Sequence, residues 1–430
     1  MNEIIFRLGE SDINILDKEN LSFSFLDKKN RAFIKRSPSK LGLDLLFVGL
    51  ITSFIDKNLL RDNSIDGWTR NIKVVFPVLE DNKWKGKEEL LAKLLSFLSG
   101  DNWVISFSKR DLTDLEKAFL QRKHVKKTVF NEADIKKISM FSGGLDSFIG
   151  AIDLLNDNAD TVFVNIHGGG NSFVQNFEYI RNVLCLQYNI QNKNTLFRTF
   201  YVSPKKGKED TTRARSFTFF THALALSTCF TNINELIIPE NGTISLNVPL
   251  TIGRYGSCST RTTHPYYISL LKELINGLGL QLEIKNPYQF FTKGEMIVNC
   301  KNRILLDENI SRTMSCSHPT SGRWHEGDGS PKHCGYCLPC LIRRAAEYKA
   351  YSQFDVTDYR EPLRKTKQNQ STIKCLLLRI ATYSNDLAPI EIQKNGTINN
   401  FQEKYVDLFK RSIDELKEFI DAYFLNEISN

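Results

Sequence analysis

The segment KISMFSGGLDS, at residues 137–147, decides the fold expected for this chain. Its first five residues form a short apolar run typical of a buried strand, and residues 148–152 continue as a helix. Two glycines between them let the backbone turn tightly, and Ser142 and Ser147 add hydroxyl donors. Amides that converge in such a turn, together with the N-terminal end of a helix, favour an anion. The segment therefore predicts a strand, loop and helix that bind pyrophosphate.

We call residues 142–147 the phosphate loop. It differs from a Walker-type loop because no Lys-Ser or Lys-Thr pair follows the glycines. An alternative interpretation is an ordinary serine-glycine turn in which Asp146 caps the following helix. Because strand, turn and helix come in the order that phosphate binding requires, contacts to phosphate are expected from Ser142, Gly143, Gly144, Leu145, Asp146 and Ser147.

Buried strand-like runs alternate with amphipathic segments after residue 137. The expected strands are 137–142, 161–167, 197–203, 235–239 and 281–286. The expected helices lie near 146–156, 173–189, 214–229, 264–277 and 292–300. This alternation predicts an α/β fold with an open, mostly parallel sheet and helices on both faces. Ligands of such sheets bind at the carboxyl ends of the strands.

The chain has 430 residues, more than one hydrophobic core usually organises. Residues 1–130 combine strand-like runs with one apolar helix, which predicts an N-terminal α+β accessory domain. Residues 131–354 form the α/β domain, and residues 355–430 form a C-terminal helical appendix. Within the first part, Trp68 and Arg70 are expected to be a core residue and a surface residue.

Composition narrows the location and the partners of the protein. The most apolar stretch, residues 41–55, contains Asp44 and is too short to span a bilayer, so it predicts a buried helix. The start of the chain lacks the pattern of a secretory signal, so a cytoplasmic protein is expected. The formal net charge of +8 suits a polyanionic partner or simply a mildly basic surface, and it leaves a nucleic-acid partner open.

Four of the nine cysteines cluster late in the chain. Disulfides are rare in the cytoplasm, so the cluster indicates a metal rather than a disulfide framework. Two nested Cys-x-x-Cys steps place three thiolates around one point, and a fourth upstream cysteine completes a tetrahedron for structural Zn²⁺. The expected ligands are Cys316, Cys334, Cys337 and Cys340. A histidine could replace one of them in a Cys₃His site, and the candidates are His318, His325 and His333.

The pattern Ser-Gly-Gly-x-Asp-Ser after a strand, at residues 142–147, resembles the signature of PP-loop ATP pyrophosphatases. Enzymes of this class adenylate a substrate and release pyrophosphate. The resemblance implies a sheet of the adenine nucleotide alpha hydrolase-like (HUP) type, ATP as a substrate and Mg²⁺ on the pyrophosphate. It also implies that Asp146 orients the Mg²⁺ or its water shell.

The phosphate loop followed by Cys…Cys-Gly-x-Cys-x-x-Cys-x-x-Arg is more specific, and it resembles the QueC-like family of 7-cyano-7-deazaguanine synthases over residues 135–350. Arg343 occupies the arginine of that pattern, and residues 292–295 resemble the family's Thr-Lys-x-Glu helix start. The family activates 7-carboxy-7-deazaguanine with ATP and converts its carboxylate into an amide and then a nitrile. A deazaguanine acid is therefore the implied small-molecule substrate.

Site residues follow from the resemblance and from the expected carboxyl ends of the strands. Positive charges that neutralise the transition state would join the loop in catalysis, through Asp146, Ser147, Arg215 and Lys293. His167, which follows the second strand, is assigned to the nucleotide site. The candidate substrate contacts are Arg213, Glu240, Asn241 and Glu295.

Several features depart from the family pattern. The chain reads His167-Gly168-Gly169 where the family usually shows Tyr-Gly-Gln, and two extra segments flank the core. The enlarged architecture is similar to the QueC-like components of bacterial anti-phage systems of the Qat type, which implies transfer to an amine on a partner protein. Nitrile synthesis with ammonia, an RNA-modifying PP-loop enzyme and a nucleotide-dependent scaffold are the alternatives. Thiolase chemistry is disfavoured because zinc would occupy the clustered cysteines.

Overall fold

The computed structural model describes residues 3–5, 14–31, 34, 36–121, 134–157, 160–168, 171–191, 196–250, 261–319, 331–360, 363 and 367–429. Its strands are β1 (Glu3–Ile5), β2 (Leu21–Phe23), β3 (Asn71–Val78), β4 (Asn102–Lys109), β5 (Lys137–Met140), β6 (Thr161–His167), β7 (Phe197–Pro204), β8 (Glu235–Ile237) and β9 (Glu283–Lys285). The five strands expected after residue 137 are therefore all present, within a few residues of their expected ends.

The helices of the first half are α1 (Lys28–Arg31), α2 (Lys40–Asn58), α3 (Asp81–Trp84), α4 (Glu88–Ser99), α5 (Asp114–Leu120), α6 (Leu145–Asp157), α7 (Asn171–Gln187) and α8 (Arg215–Ser227). Those of the second half are α9 (Gly242–Leu246), α10 (Pro265–Gly277), α11 (Lys293–Val298), α12 (Arg303–Asn309), α13 (Leu338–Tyr351), α14 (Lys367–Ala381), α15 (Ala388–Glu391) and α16 (Gln402–Ser429). Short 3₁₀ turns occupy Arg61–Asn63, Ile310–Arg312 and Asn385–Leu387.

Six strands form the central sheet in the order β2-β7-β6-β5-β8-β9. All neighbours are parallel except β2, which runs antiparallel to β7. The chain moves outward from β5 through β6 to β7, and then returns to the other side of β5 with β8 and β9. The expected α/β fold with a mostly parallel sheet is confirmed. The reversal makes the carboxyl ends of β5 and β8 the switch point where ligands of such sheets bind.

The first segment contains a second sheet of three strands in the order β1-β3-β4. All three strands are parallel. Helices α2 and α4 lie between successive strands of this sheet, so the segment is α/β in character and the expected α+β arrangement is wrong. Strand β2, from the same segment, joins the central sheet instead, and one hydrophobic cluster includes residues of both sheets. The domain boundaries stay a prediction.

Helix α2 is the apolar helix expected at residues 41–55, and it is buried over most of its length. It packs against α8 of the central region. Asp44 interrupts its apolar sequence because the carboxylate accepts hydrogen bonds from the backbone of Leu79 at 2.7 Å and from Trp84 Nε1 at 3.2 Å. No helix among the described residues has the length and apolar character that a bilayer crossing requires.

Arg70 is buried, and its expected place on the surface is wrong. It pairs with Asp56 at 2.7 Å and with Asp101 at 2.6 Å. Arg61 pairs with the same aspartates, at 3.9 and 2.9 Å. We call these four residues the charge quartet; the side chain of each is at most 4% exposed. Trp68 is half-buried, and Arg61 lies over its ring with its guanidinium carbon 4.7 Å from the centroid.

The last segment is helical, as expected. Helices α13 and α16 pack against each other, and α16 also contacts α9 and α15. A second hydrophobic cluster holds these helices together and includes Leu246, Leu341, Leu376, Leu408 and Phe419.

Candidate functional site

The phosphate loop leaves the carboxyl end of β5 and enters α6 at Leu145. Gly143 has a φ of +82°, which side chains rarely permit, so glycine is needed at this turn. Ser147 Oγ donates to Gly144 O at 2.9 Å and lies 3.3 Å from Ser142 Oγ. Ser142 is exposed, whereas the side chain of Leu145 is completely buried. Leu145 as a whole residue therefore exposes no atom to a ligand in this conformation.

Residues 313–316 pack against the phosphate loop. Met314 N donates to Gly143 O at 3.2 Å, and Leu145 N donates to Ser315 Oγ at 3.4 Å. The Leu145 amide is one of the first-turn donors of α6 that have no partner within the helix. Ser315 thus adds a third hydroxyl to the loop, and the sequence analysis missed it because the two residues are 170 positions apart.

Asp146 is held from two sides. Lys293, the first residue of α11, forms an ion pair with Asp146 Oδ1. Asn241 donates to Oδ2 from its backbone N at 3.1 Å and from Nδ2 at 2.5 Å. The lysine is only 4% exposed and Asn241 is completely buried. Three of the predicted site residues, from three loops, therefore meet at the switch point.

Glu240 precedes Asn241 at the carboxyl end of β8. Burial is the main cause that raises the pKa of its carboxyl to about 7; the negative charge of Asp146 raises it further, while Thr263 and Lys293 oppose the shift. The residue as a whole keeps partial exposure, but its carboxyl accepts a hydrogen bond from Thr263 Oγ1 and lies among protein atoms. A carboxyl that is about half protonated at neutral pH can both donate and accept a hydrogen bond.

His167 lies at the end of β6, and Nδ1 of its ring is buried without a hydrogen-bond partner among the described residues. Burial lowers the pKa of His167, and the charge of Arg215 lowers it further. Arg215, at the start of α8, is exposed. The charge of Arg215 therefore acts on the His167 ring, but no described hydrogen bond joins either of these predicted residues to Asp146.

Arg213 and Glu295, both predicted as substrate contacts, form structural contacts away from Asp146. Arg213 lies over the ring of Trp68, 5.4 Å from its centroid, next to the charge quartet. Burial lowers the pKa of Arg213 to about 10, and the charges of Arg261 and Arg61 add to this effect. Glu295 completes the capping box of α11 with Thr292 and forms an ion pair with Arg411 of α16. Both side chains are therefore engaged in holding segments together, and the structure does not bring them to Asp146.

The cysteine cluster is a candidate metal centre. The Sγ atoms of Cys316, Cys334, Cys337 and Cys340 all lie within 4.8 Å of one another, and all four residues are buried. The Cys316–Cys337 and Cys334–Cys340 distances are both 3.9 Å. A zinc tetrahedron with Zn–S bonds of about 2.3 Å places sulfurs about 3.8 Å apart, so the cluster fits Zn²⁺.

Histidine substitution is not what the geometry favours, because the four-residue cluster contains cysteines alone. His333 lies nearby, with Nδ1 3.9 Å from Cys340 Sγ, while its Nε2 is 2.9 Å from Thr313 O. His318 also borders the cluster: its backbone N donates to Cys316 Sγ at 3.2 Å, and its side chain has hydrogen bonds with Cys334 and Cys337. The third candidate, His325, lies outside the described residues.

Arg343 connects the cysteine cluster to the phosphate loop. It lies one helical turn after Cys340, its side chain is completely buried, and it donates to Ile310 O at 2.7 Å and to Thr313 Oγ1 at 3.0 Å. Its charge is matched by Glu347 at 2.8 Å. The arginine therefore braces the segment that contacts the phosphate loop, and the Cys-x-x-Arg spacing has a structural purpose.

Outside the cysteine cluster, no group of three or more His, Cys, Asp or Glu side chains in the described part of the chain is arranged to hold a metal. Mg²⁺ usually binds through one or two carboxylates together with substrate phosphates. Asp146 and Glu240 meet that description only if a nucleotide supplies the remaining oxygens.

Comparisons with protein-family models, with curated proteins and with solved structures found no match for this chain.

Proposed function

We propose that this protein is an ATP-dependent adenylating enzyme of the PP-loop, HUP type. A carboxylate oxygen of the substrate attacks the α-phosphorus of ATP, an acyl-adenylate forms and pyrophosphate leaves. An amine then attacks the acyl carbon, a C–N bond forms, AMP leaves and the nitrogen loses a proton. The observation that carries the proposal is the meeting of the phosphate loop with Lys293, Asp146 and Asn241 at the switch point of the sheet.

The phosphate loop supports this reaction through its donors. An exposed Ser142, a glycine turn and the first turn of a thirteen-residue helix converge on one place. Amides and hydroxyls in this arrangement stabilise a leaving pyrophosphate without reorganising during the reaction. ATP would bind with its β- and γ-phosphates here.

Lys293 supports it through charge. Its ammonium group stays beside Asp146, so it is in place before the nucleotide arrives. The helix dipole disfavours a lysine at the first position of a helix, and the ion pair with Asp146 offsets this. Lys293 would neutralise the charge that develops on the phosphates, and Asp146 would orient it. Mg²⁺, when bound, would supply further charge neutralisation beside Asp146.

The substrate favoured by the QueC-like sequence pattern is 7-carboxy-7-deazaguanine or a similar acid. Glu240, with its carboxyl pKa raised by burial to about 7, suits recognition of a heterocycle that offers both donors and acceptors. The segments before and after the central region support transfer to an amine on a partner protein, in anti-phage defence, rather than to ammonia.

The proposal is tested by measuring AMP and pyrophosphate formed from ATP and 7-carboxy-7-deazaguanine by the full-length protein. We expect both products with the wild type. Lys293→Met should reduce the rate about 10²–10³-fold, because it removes a preorganised charge from the transition state. Lys301→Met is the matched control, since the Lys301 side chain forms an exposed ion pair with Asp157 and no other ion pair among the described residues.

ADP and phosphate as products, or a Lys293→Met rate equal to that of the wild type, would overturn the assignment. Pyrophosphate release that requires added RNA would instead favour an RNA-modifying enzyme. Nucleotide binding with no turnover on any carboxylate would favour a scaffold.

A further inference from the structure

Helix α16 reaches the candidate site from the end of the chain. Three of its residues are Arg411, Ser412 and Glu415. Glu415 is four positions after Arg411 and three after Ser412, so it is a neighbour of both on the helix surface. Ser412 and Glu415 are buried, at 3% and 7% exposed. We call these three residues the C-terminal clamp.

Glu415 contacts both sides of Lys293. Its Oε2 accepts a hydrogen bond from Thr292 Oγ1 at 2.6 Å, and its Oε1 accepts one from Gly294 N at 3.2 Å. A Cβ atom at Gly294 would lie 2.6 Å from Glu415 Oε2, so the glycine permits the carboxylate to approach. Burial raises the pKa of the Glu415 carboxyl to about 7, whereas the hydrogen bonds from Thr292 and Gly294 lower it, so this carboxyl is only partly ionised near neutral pH.

Ser412 and Arg411 hold the neighbouring elements. Ser412 Oγ lies 2.7 Å from the hydroxyl of Thr243, which is two residues after Asn241. Arg411 forms an ion pair with Glu295 and donates to Phe290 O at 3.0 Å. The clamp therefore contacts the helix that begins with Lys293 and the helix that Asn241 caps.

We infer that the C-terminal clamp positions the two partners of Asp146, and that Glu415 is the main positioning residue. Lys293 begins α11 and Asn241 caps α9, so their approach to Asp146 requires that these two helices keep a fixed position relative to one another. Helix α16 provides that relation by bonding to both. The last segment of the chain is on this view a part of the site, rather than an appendix that only selects partners.

The inference rests on the proposed function for its catalytic consequence, but its structural consequence can be measured without any turnover. A lysine side chain gains much rotamer freedom when it is released, so a loosened α11 would let Lys293 leave Asp146 and become accessible. The experiment therefore has two readouts. One is the rate at which Lys293 is acylated by an amine-reactive ester, followed by mass spectrometry; the other is the kcat of pyrophosphate release.

We expect Glu415→Ala to increase the acylation rate of Lys293 at least about tenfold and to speed amide hydrogen exchange at residues 292–298 and 242–246. The kcat should fall with little change in the KM for ATP. Glu415→Gln keeps an oxygen acceptor and should lie between the wild type and Glu415→Ala. Glu418→Gln is the control, because Glu418 lies on the same helix as Glu415 and, among the described residues, forms an exposed ion pair with Lys349 of α13 at 3.3 Å.

If Glu415→Ala does not fold, Ser412→Ala removes one hydrogen bond of the clamp and should give smaller changes in the same direction, strongest at residues 242–246. Unchanged acylation and exchange in a folded Glu415→Ala variant would overturn the inference. If the wild type releases no pyrophosphate but the acylation and exchange respond as expected, the proposed function fails and the positioning role of the clamp stands.

Discussion

The charge quartet and the pair formed by Asp146 and Lys293 both bury carboxylates beside cations. They differ in how many hydrogen-bond donors of the cations remain unused. In the quartet, two arginines meet two aspartates, and Arg61 and Arg70 also donate to backbone carbonyls such as Ser99 O and Leu59 O. Lys293 donates to Asp146 and, within the described residues, to no other acceptor. An ammonium group has three donors, so the pair retains capacity that the quartet has used.

This difference separates a structural ion network from a candidate site. A buried network in which every charge is matched stabilises one arrangement of the chain and presents nothing to a ligand. A buried cation with unused donors, beside a glycine loop at a switch point, is arranged to receive an anion. The following substitutions test this contrast, beginning with the cysteine cluster.

The cysteine cluster is a structural site with no capacity for a further ligand, because four thiolates leave a zinc ion no open coordination position. Cys337→Ser or chelation should give the largest loss of stability, since metal binding energy is folding energy in such sites. Elemental analysis should find one zinc ion per chain in the wild type and less in the variant. A metal-free wild type whose melting temperature matches that of Cys337→Ser would contradict this.

Asp101→Ala should be the next largest change. It removes an acceptor of Arg61 and Arg70 and leaves their charges buried, which typically costs about 3–5 kcal/mol. Urea unfolding measures the cost, and the rate of pyrophosphate release per folded molecule should stay near that of the wild type. Asp114→Ala breaks an exposed pair with Lys117 and is the control, with an expected change under about 1 kcal/mol. Equal effects of the two substitutions would remove the distinction between the quartet and a surface pair.

The smallest effect concerns pH. Burial raises the pKa of Glu240 to about 7, from an ordinary 4.5. Between these values the folded protein keeps a proton that the unfolded chain releases, so the contribution of Glu240 to stability falls as pH rises through this range. Unfolding free energy measured from pH 4.5 to 7 should therefore decline less steeply in Glu240→Gln than in the wild type. Parallel curves would show that this carboxyl does not titrate as its surroundings indicate.

Local sequence signals predicted much of this architecture. The apolar run before Ser142, the cysteine spacing and the strand-like segments after residue 137 each report on a few neighbouring residues, and each was found where it was expected. The capping box of Thr292 and Glu295 was also readable as a Thr-x-x-Glu helix start, and it explains the glutamate better than a substrate contact does.

Contacts between residues that are distant in the sequence could not be predicted from local sequence patterns. Asn241 and Lys293 are 95 and 147 residues from Asp146; the expected strand ends and the family pattern predicted both as site residues, but not as direct partners of Asp146. Arg70 looked like a surface residue because the aspartates that match its charge are separated from it in sequence, Asp101 by 31 positions. Hydrophobic periodicity reports which face of an element is buried, but not which distant charge it is buried against.

Strand β2 has a consequence for the order in which the protein can be completed on the ribosome. Residues 21–23 emerge early, but their partner, β7, ends at Pro204. At synthesis rates of about 5–20 residues per second, β2 waits on the order of 10 seconds or more for the strand that it pairs with. During that interval its backbone donors and acceptors are open to any other extended segment. Nascent chains that stall before residue 197 should consequently be the ones that depend most on chaperones.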